Sequence, residues 1–155
     1  MRYVYAVFVF ALAASTLVWQ ADAGGLKKSD SKVKASASAT KIEGGKQTVT
    51  ITLDIDKGWY LYANPVNHNN DFLEANQTTV KVGAKDKVQF KPKYPAGEQK
   101  VDKTEKYDVY KGVVKIEVAV QRTKGDTSPL EITIDVNACD SSVCLMPGKI
   151  KLMVP

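Results

Sequence analysis

Three segments of the chain alternate apolar and polar residues with a period of two. Val49, Ile51, Leu53 and Ile55 are separated by Thr50, Thr52 and Asp54. Val114, Ile116, Val118 and Val120 are separated by Lys115, Glu117 and Ala119, and Leu130, Ile132, Ile134 and Val136 by Glu131, Thr133 and Asp135. Successive side chains of a strand point to opposite faces, so this pattern belongs to strands with one face buried and one wet. A helix would need apolar residues three and four apart, and no segment beyond position 23 sustains that stripe. Only Asp71–Ala75 offers a single helical turn.

Shorter segments with strand character are residues 32–39, 59–63, 78–82, 87–90 and 149–154. The gaps carry turn residues: Glu43-Gly44-Gly45, Lys57-Gly58, Val82-Gly83, Pro95-Ala96-Gly97, Lys124-Gly125-Asp126 and Pro147-Gly148. About seven or eight short strands predict an all-β fold, an immunoglobulin-like antiparallel β-sandwich over residues 32–155. A chain of 155 residues that is 44% hydrophobic and 25% charged suits one folded domain rather than two. The longest stretch without strand character is Lys91–Lys106, expected to be a long loop, either a solvated hairpin excursion or a lid.

The first residues read as an address. Met1-Arg2 is followed by an apolar run from Tyr3 to Ala14, then Leu17-Val18-Trp19 and the small-x-small triplet Ala21-Asp22-Ala23. Basic start, apolar core and cleavage site stand in the order of a secretory signal, predicting a signal peptide over 1–23. The apolar core is shorter than the roughly 20 residues of a spanning helix, and no long apolar run follows it. Residues 24–31, polar and glycine-led, are expected to be a flexible tail. The mature chain is therefore expected in the periplasm or secreted, without a transmembrane segment, where a disulfide can persist.

Two cysteines carry the chemistry. Cys139 and Cys144 lie in Asn137-Ala138-Cys139-Asp140-Ser141-Ser142-Val143-Cys144-Leu145-Met146-Pro147, directly after the strand 130–136. The pair would sit across a tight connection at one end of the sandwich. The spacing differs from that of a thioredoxin helix, and there is no helix N-terminus to depress a thiol pKa. Three readings stay open. As a permanent staple, so short a loop would contribute only about 2 kcal/mol. A metal site would need more ligands than two thiolates and the single histidine, His68. As an exchangeable pair, one thiolate would attack a partner disulfide and its neighbour would resolve the product.

Other classes are set aside. One histidine leaves no credible Ser-His-Asp set, and no phosphate-cradling glycine loop is present, so no cofactor and no metal are expected. The net charge is +5, but Asp86, Glu98, Asp102 and Glu105 interrupt the lysines between 85 and 106, so no nucleic-acid partner is expected. Asn76-Gln77-Thr78 fits a glycosylation sequon, a frequent triplet.

Three blocks resemble, in order and spacing, the N-terminal periplasmic domain of DsbD-type thiol:disulfide interchange proteins. Lys57-Gly58-Trp59-Tyr60-Leu61-Tyr62-Ala63 is similar to its glycine-aromatic-aromatic-x-tyrosine signature. Asp108-Val109-Tyr110-Lys111-Gly112 resembles the segment entering its central strand, and Ala138–Pro147 its redox motif. The resemblance runs along most of residues 32–154. It implies an immunoglobulin-like sandwich that passes two electrons between thioredoxin-like proteins. Cys144 would form the mixed disulfides and Cys139 would resolve them.

The resemblance also implies supporting residues. Trp59, Tyr60 and Tyr62 would pack around the site, and Asp140 and Pro147 flank the cysteines. Asp140 would disfavour a thiolate, and Lys149 is the nearest cation in sequence, so the pair would be a passive relay. The family's cap loop falls on residues 91–106. Its Phe-Tyr-Gly element is missing here, leaving Tyr94 and Tyr107 as candidates to shield the sulfurs. The family domain is normally fused to a membrane domain and a thioredoxin-like domain. A chain ending at Pro155 implies that its electron donor is a separate membrane or thioredoxin-like protein, with exported thioredoxin-like acceptors and a monomeric relay. The rival is a structural or binding sandwich with a constitutive disulfide and no redox activity.

Overall fold

The computed structural model describes residues 27–102 and 105–155. The expected signal peptide 1–23, its cleavage point and the start of the tail lie outside the described residues. A 3-10 turn, Ser29–Lys32, is followed by β1 (Val33–Ala39), β2 (Lys46–Ile55) and β3 (Tyr60–Tyr62). After the one-turn helix α1 (Asp71–Ala75) come β4 (Thr79–Gly83), β5 (Gln89–Lys93), β6 (Glu98–Asp102) and β7 (Glu105–Tyr110). The chain ends with β8 (Val113–Gln121), β9 (Leu130–Val136), β10 (Ala138–Cys139) and β11 (Gly148–Val154). No helix among the described residues is long and apolar enough to cross a membrane.

All strand pairs are antiparallel and form three ladders, ordered β1-β2-β8-β5, β10-β3-β7-β6 and β11-β9-β4. The three alternating segments supply the centre. Val49, Ile51 and Leu53 of β2, Ile116 and Val118 of β8, and Leu130, Ile132 and Ile134 of β9 are all 0% exposed in one cluster. The register places Ile51 opposite Ile116, and Ile132 between Val82 of β4 and Leu152 of β11. A slip of one residue would turn each apolar row to water, so the alternation specifies register as well as strand identity. The result is the expected immunoglobulin-like antiparallel sandwich.

Two glycines shape the passages between the β1-β2-β8-β5 and β10-β3-β7-β6 ladders. Gly58 (φ +87°) closes the turn from β2 into β3, with the Trp59 N–H donating to the Asp56 carbonyl, and Gly112 (φ +59°) closes the turn from β7 into β8. Both need the left-handed region that side chains disfavour.

Three expectations are corrected. Residues 91–106 are not a strandless loop: they contain the end of β5, all of β6 and the start of β7, which pair as a hairpin from Glu98↔Val109 to Asp102↔Glu105. β6 is an edge strand with mostly exposed side chains, so its backbone hydrogen bonds leave no alternation in the sequence. For the same reason β5 runs to Lys93, past the expected Phe90. Its exposed edge accommodates Pro92, which has no N–H to donate. The tail, finally, is docked by Ser29, which is 0% exposed, so the folded part begins before residue 32.

Candidate functional site

β9 runs through Asn137 into the two-residue β10, which pairs with β3 so that Ala138 faces Leu61 and Cys139 faces Tyr60. The chain then turns back, and Cys144 forms an isolated bridge with Cys139. The two sulfurs are joined in a disulfide, with Cα atoms 4.0 Å apart. The turn is held from inside. The Asp140 N–H donates to the Val143 carbonyl (2.9 Å), and the Asp140 carboxylate accepts the Ser142 and Val143 N–H groups at 2.7 and 2.8 Å. Those two hydrogen bonds keep the Asp140 carboxyl below the usual carboxylate range. Asp140, expected as a like charge beside the thiolate, also has a structural role: its carboxylate holds the turn.

The two cysteines occupy different environments. Cys139 is 1% exposed, whereas Cys144 lies on the exposed side of the turn. Val143 and Met146, which flank Cys144, are 51% and 52% exposed. Exposed apolar side chains therefore stand on both sides of Cys144 in the chain.

Beneath the disulfide is a second apolar cluster of Tyr60, Tyr62, Val66, Leu73, Tyr107, Val109 and Cys139. Strand alternation sets its membership, because Tyr60 and Tyr62 project to one face of β3, and Tyr107 and Val109 to one face of β7. The Tyr60 and Tyr62 rings meet edge-on with centroids 6.1 Å apart, and Tyr62 and Tyr107 lie at 5.8 Å. The Tyr62 hydroxyl reaches both sulfurs, 3.7 Å from Cys139 Sγ and 3.9 Å from Cys144 Sγ. A disulfide sulfur has no proton, so the phenol is the donor. Burial above all, then Tyr107, Asp102 and Glu105, raises the Tyr62 pKa, so the donor stays protonated at neutral pH. Tyr60 is raised in the same direction, by burial first and then by the Tyr107 hydroxyl.

The site candidates therefore divide. Tyr60, Tyr62 and Tyr107 join Cys139, while two others do not. Trp59 packs half-buried against the main core, with Lys32 Nζ 5.0 Å from its ring. Tyr94 also packs against the main core, and its hydroxyl accepts the Val80 N–H at 2.9 Å, which removes it as a shield of the sulfurs. Pro147 is exposed. Lys149 Nζ is 3.5 Å from Asp135 rather than aimed at the cysteines.

The hairpin expected to cap the disulfide meets the tyrosines through Lys100 of β6. Its ammonium lies 5.0 Å from the Tyr60 ring centroid and 5.4 Å from that of Tyr107, and donates to the Tyr107 hydroxyl at 3.2 Å. Cys144 nevertheless stays exposed. Nothing in the pattern around Lys100 marked it, because one lysine among many carries no periodic signal. Asn76, the sequon asparagine, donates to the Phe72 carbonyl and accepts from Asn137, while Thr78 is 0% exposed, so this triplet is built into the support of β10.

Comparison with known proteins agrees with this arrangement. Residues 29–154 match the family model described as "Thiol:disulfide interchange protein DsbD, N-terminal". No curated protein sequence matches the chain. Among solved structures it is similar to the N-terminal periplasmic domain of ScsB from Proteus mirabilis, with a TM-score of 0.52 and 16% identity. That match covers 77% of this chain and 44% of the ScsB chain, so the chain spans less than half of that protein's solved length. A further similarity is to the DsbD N-terminal domain of Neisseria meningitidis in the reduced form (TM-score 0.47, 17% identity, 83% of this chain and 88% of that one). The same domain in complex with the PilB N-terminal domain of N. meningitidis gives a TM-score of 0.48 and 17% identity, over 77% of this chain and 80% of that one. With the family matched along nearly all of the described residues, the chain belongs to the family of the N-terminal domain of the thiol:disulfide interchange protein DsbD.

Proposed function

We propose that this domain is an exported electron relay that exchanges two electrons with thioredoxin-like partners through Cys139 and Cys144. The observation that carries the reading is the asymmetry of the pair: Cys144 is an exposed residue next to the exposed Val143, whereas Cys139 is buried. In the forward direction the Cys144 thiolate attacks a disulfide of the partner, forming a mixed disulfide and releasing one partner thiolate. Cys139 then gives up its proton and attacks Cys144 Sγ, which forms the internal disulfide and frees the second partner thiolate. Two thiols are oxidised and one partner disulfide is reduced. The domains follow from the same reading: a cleaved signal at 1–23 and a periplasmic relay, supplied with electrons by a membrane or thioredoxin-like donor.

Lys149, the nearest cation in sequence, is turned to Asp135 rather than to Cys144. Among the described residues the Tyr62 hydroxyl is the one polar donor that touches both sulfurs. It would stabilise a thiolate on either cysteine, and Tyr62→Phe is expected to slow the dithiol's attack on a disulfide three- to tenfold at neutral pH. The rate of alkylation of the reduced protein by iodoacetamide measures this. An unchanged rate would reduce Tyr62 to packing.

The reading is tested by comparing the oxidation of the reduced domain by a thioredoxin-like protein with its oxidation by glutathione disulfide. Protein-to-protein exchange at least about a hundredfold faster is expected, with a potential near −200 mV. Equal rates, or a potential below about −300 mV with no acceleration by protein, would make the disulfide a staple.

A further inference from the structure

We propose that Ser29 is a positioning residue for the cysteine pair: the N-terminal turn is a brace that keeps the neck of the Cys139–Cys144 loop closed when the disulfide is open. The inference rests on the exchange reading, since only a pair that opens needs such a brace.

The Ser29 hydroxyl stands between the chain that enters Cys139 and the chain that leaves Cys144. It accepts the Ala138 N–H at 2.8 Å and donates to the Met146 carbonyl at 2.8 Å. The Ser29 N–H donates to the same carbonyl at 2.9 Å, and Lys28 forms a parallel bridge with Met146. One hydroxyl can hold both legs because its oxygen carries one proton and two lone pairs. Across the neck the Leu145 N–H donates to the Ala138 carbonyl at 2.9 Å. Ser29 and Ala138 are each 0% exposed, so water cannot substitute for the Ser29 hydroxyl at the Ala138 N–H. The turn is seated by shape as well: a Cβ on Gly148 would collide with the Asp30 backbone nitrogen and carboxylate.

In the oxidised protein the sulfur–sulfur bond closes the loop by itself. In the dithiol the closure falls on the neck, and an open neck would let Cys139 drift from Cys144. A closed neck keeps the resolving thiol at high effective concentration. It therefore favours the disulfide side of the equilibrium and speeds the resolution of mixed disulfides.

The sign for Ser29→Ala follows from the orphaned Ala138 N–H. The oxidised loop is tied and cannot turn this group to water, so it bears the full cost. The reduced loop can open and hydrate it. The variant therefore shifts toward the dithiol, whereas a merely structural serine would weaken both forms alike.

The test equilibrates wild-type protein and Ser29→Ala with glutathione, two molecules becoming one glutathione disulfide for each Cys139–Cys144 bond reduced. A three- to tenfold shift toward the dithiol is expected, tenfold being about 30 mV for a two-electron couple. A constant unchanged in a folded variant overturns the brace. Amide hydrogen exchange at Ala138 in the wild-type protein is a second measurement that needs no variant. Protection kept in both redox states supports the brace, and protection lost on reduction overturns it. Neither measurement uses a protein partner, so a failed relay would show as absent thioredoxin exchange and a failed brace would show here.

Discussion

Cys139→Ser protein is expected to accumulate as a mixed disulfide with a thioredoxin-like partner, and Cys144→Ser protein is not. In the first variant the exposed Cys144 can still attack or be attacked, but the thiol that would release the partner is gone. In the second, the remaining thiol belongs to Cys139, which is 1% exposed and part of the tyrosine cluster. The trapped fraction should differ by at least about a hundredfold, read as the covalent adduct on a non-reducing gel. Stability cannot produce this contrast. Each variant loses the same short-loop disulfide, about 2 kcal/mol, against the roughly 5–15 kcal/mol of a typical domain. Equal trapping by both variants, or trapping by Cys144→Ser alone, would reverse the assigned roles.

Ile132→Ala is expected to lower the unfolding free energy by about 3 kcal/mol, within the 2–5 kcal/mol range for such truncations, with little effect on exchange. Ile132 is 0% exposed at the centre of β9, flanked in register by Val82 and Leu152. Alanine there leaves a cavity that strands paired on both sides cannot collapse to fill. The disulfide rests instead on the separate cluster around Tyr62 and Tyr107. Urea unfolding gives the stability, and glutathione exchange well below the transition gives the function. A loss under about 1 kcal/mol would contradict the placement of Ile132 in the core, and a large change in exchange would show that the two clusters are coupled.

How much could be read from residues alone depended on whether burial left a periodic trace. β2, β8 and β9 each bury one face, so their alternation named strand, register and core together. β5 and β6 bury little and are held by backbone hydrogen bonds to a single neighbour, which any residue but proline can donate. That is why the Lys91–Lys106 segment read as a loop. The same limit applied to the aromatics. Tyr60, Tyr62, Tyr94 and Tyr107 look alike in sequence, but the folded backbone sends three to the cluster that holds Cys139 and Tyr94 to the main core.

From its sequence alone, the chain declared an all-β sandwich, a cysteine pair directly after the strand 130–136, and three blocks spaced as in the DsbD N-terminal domain. Each is a local property: strand alternation is written within about seven residues, and a redox motif within about ten. The tertiary structure alone decided that Cys144 faces solvent while Cys139 does not, that one phenol reaches both sulfurs, and that Ser29 closes the neck of the loop from more than a hundred residues away. Those are long-range contacts made by single polar groups. A single hydrogen bond has no period, so only the folded path of the backbone determines which groups meet.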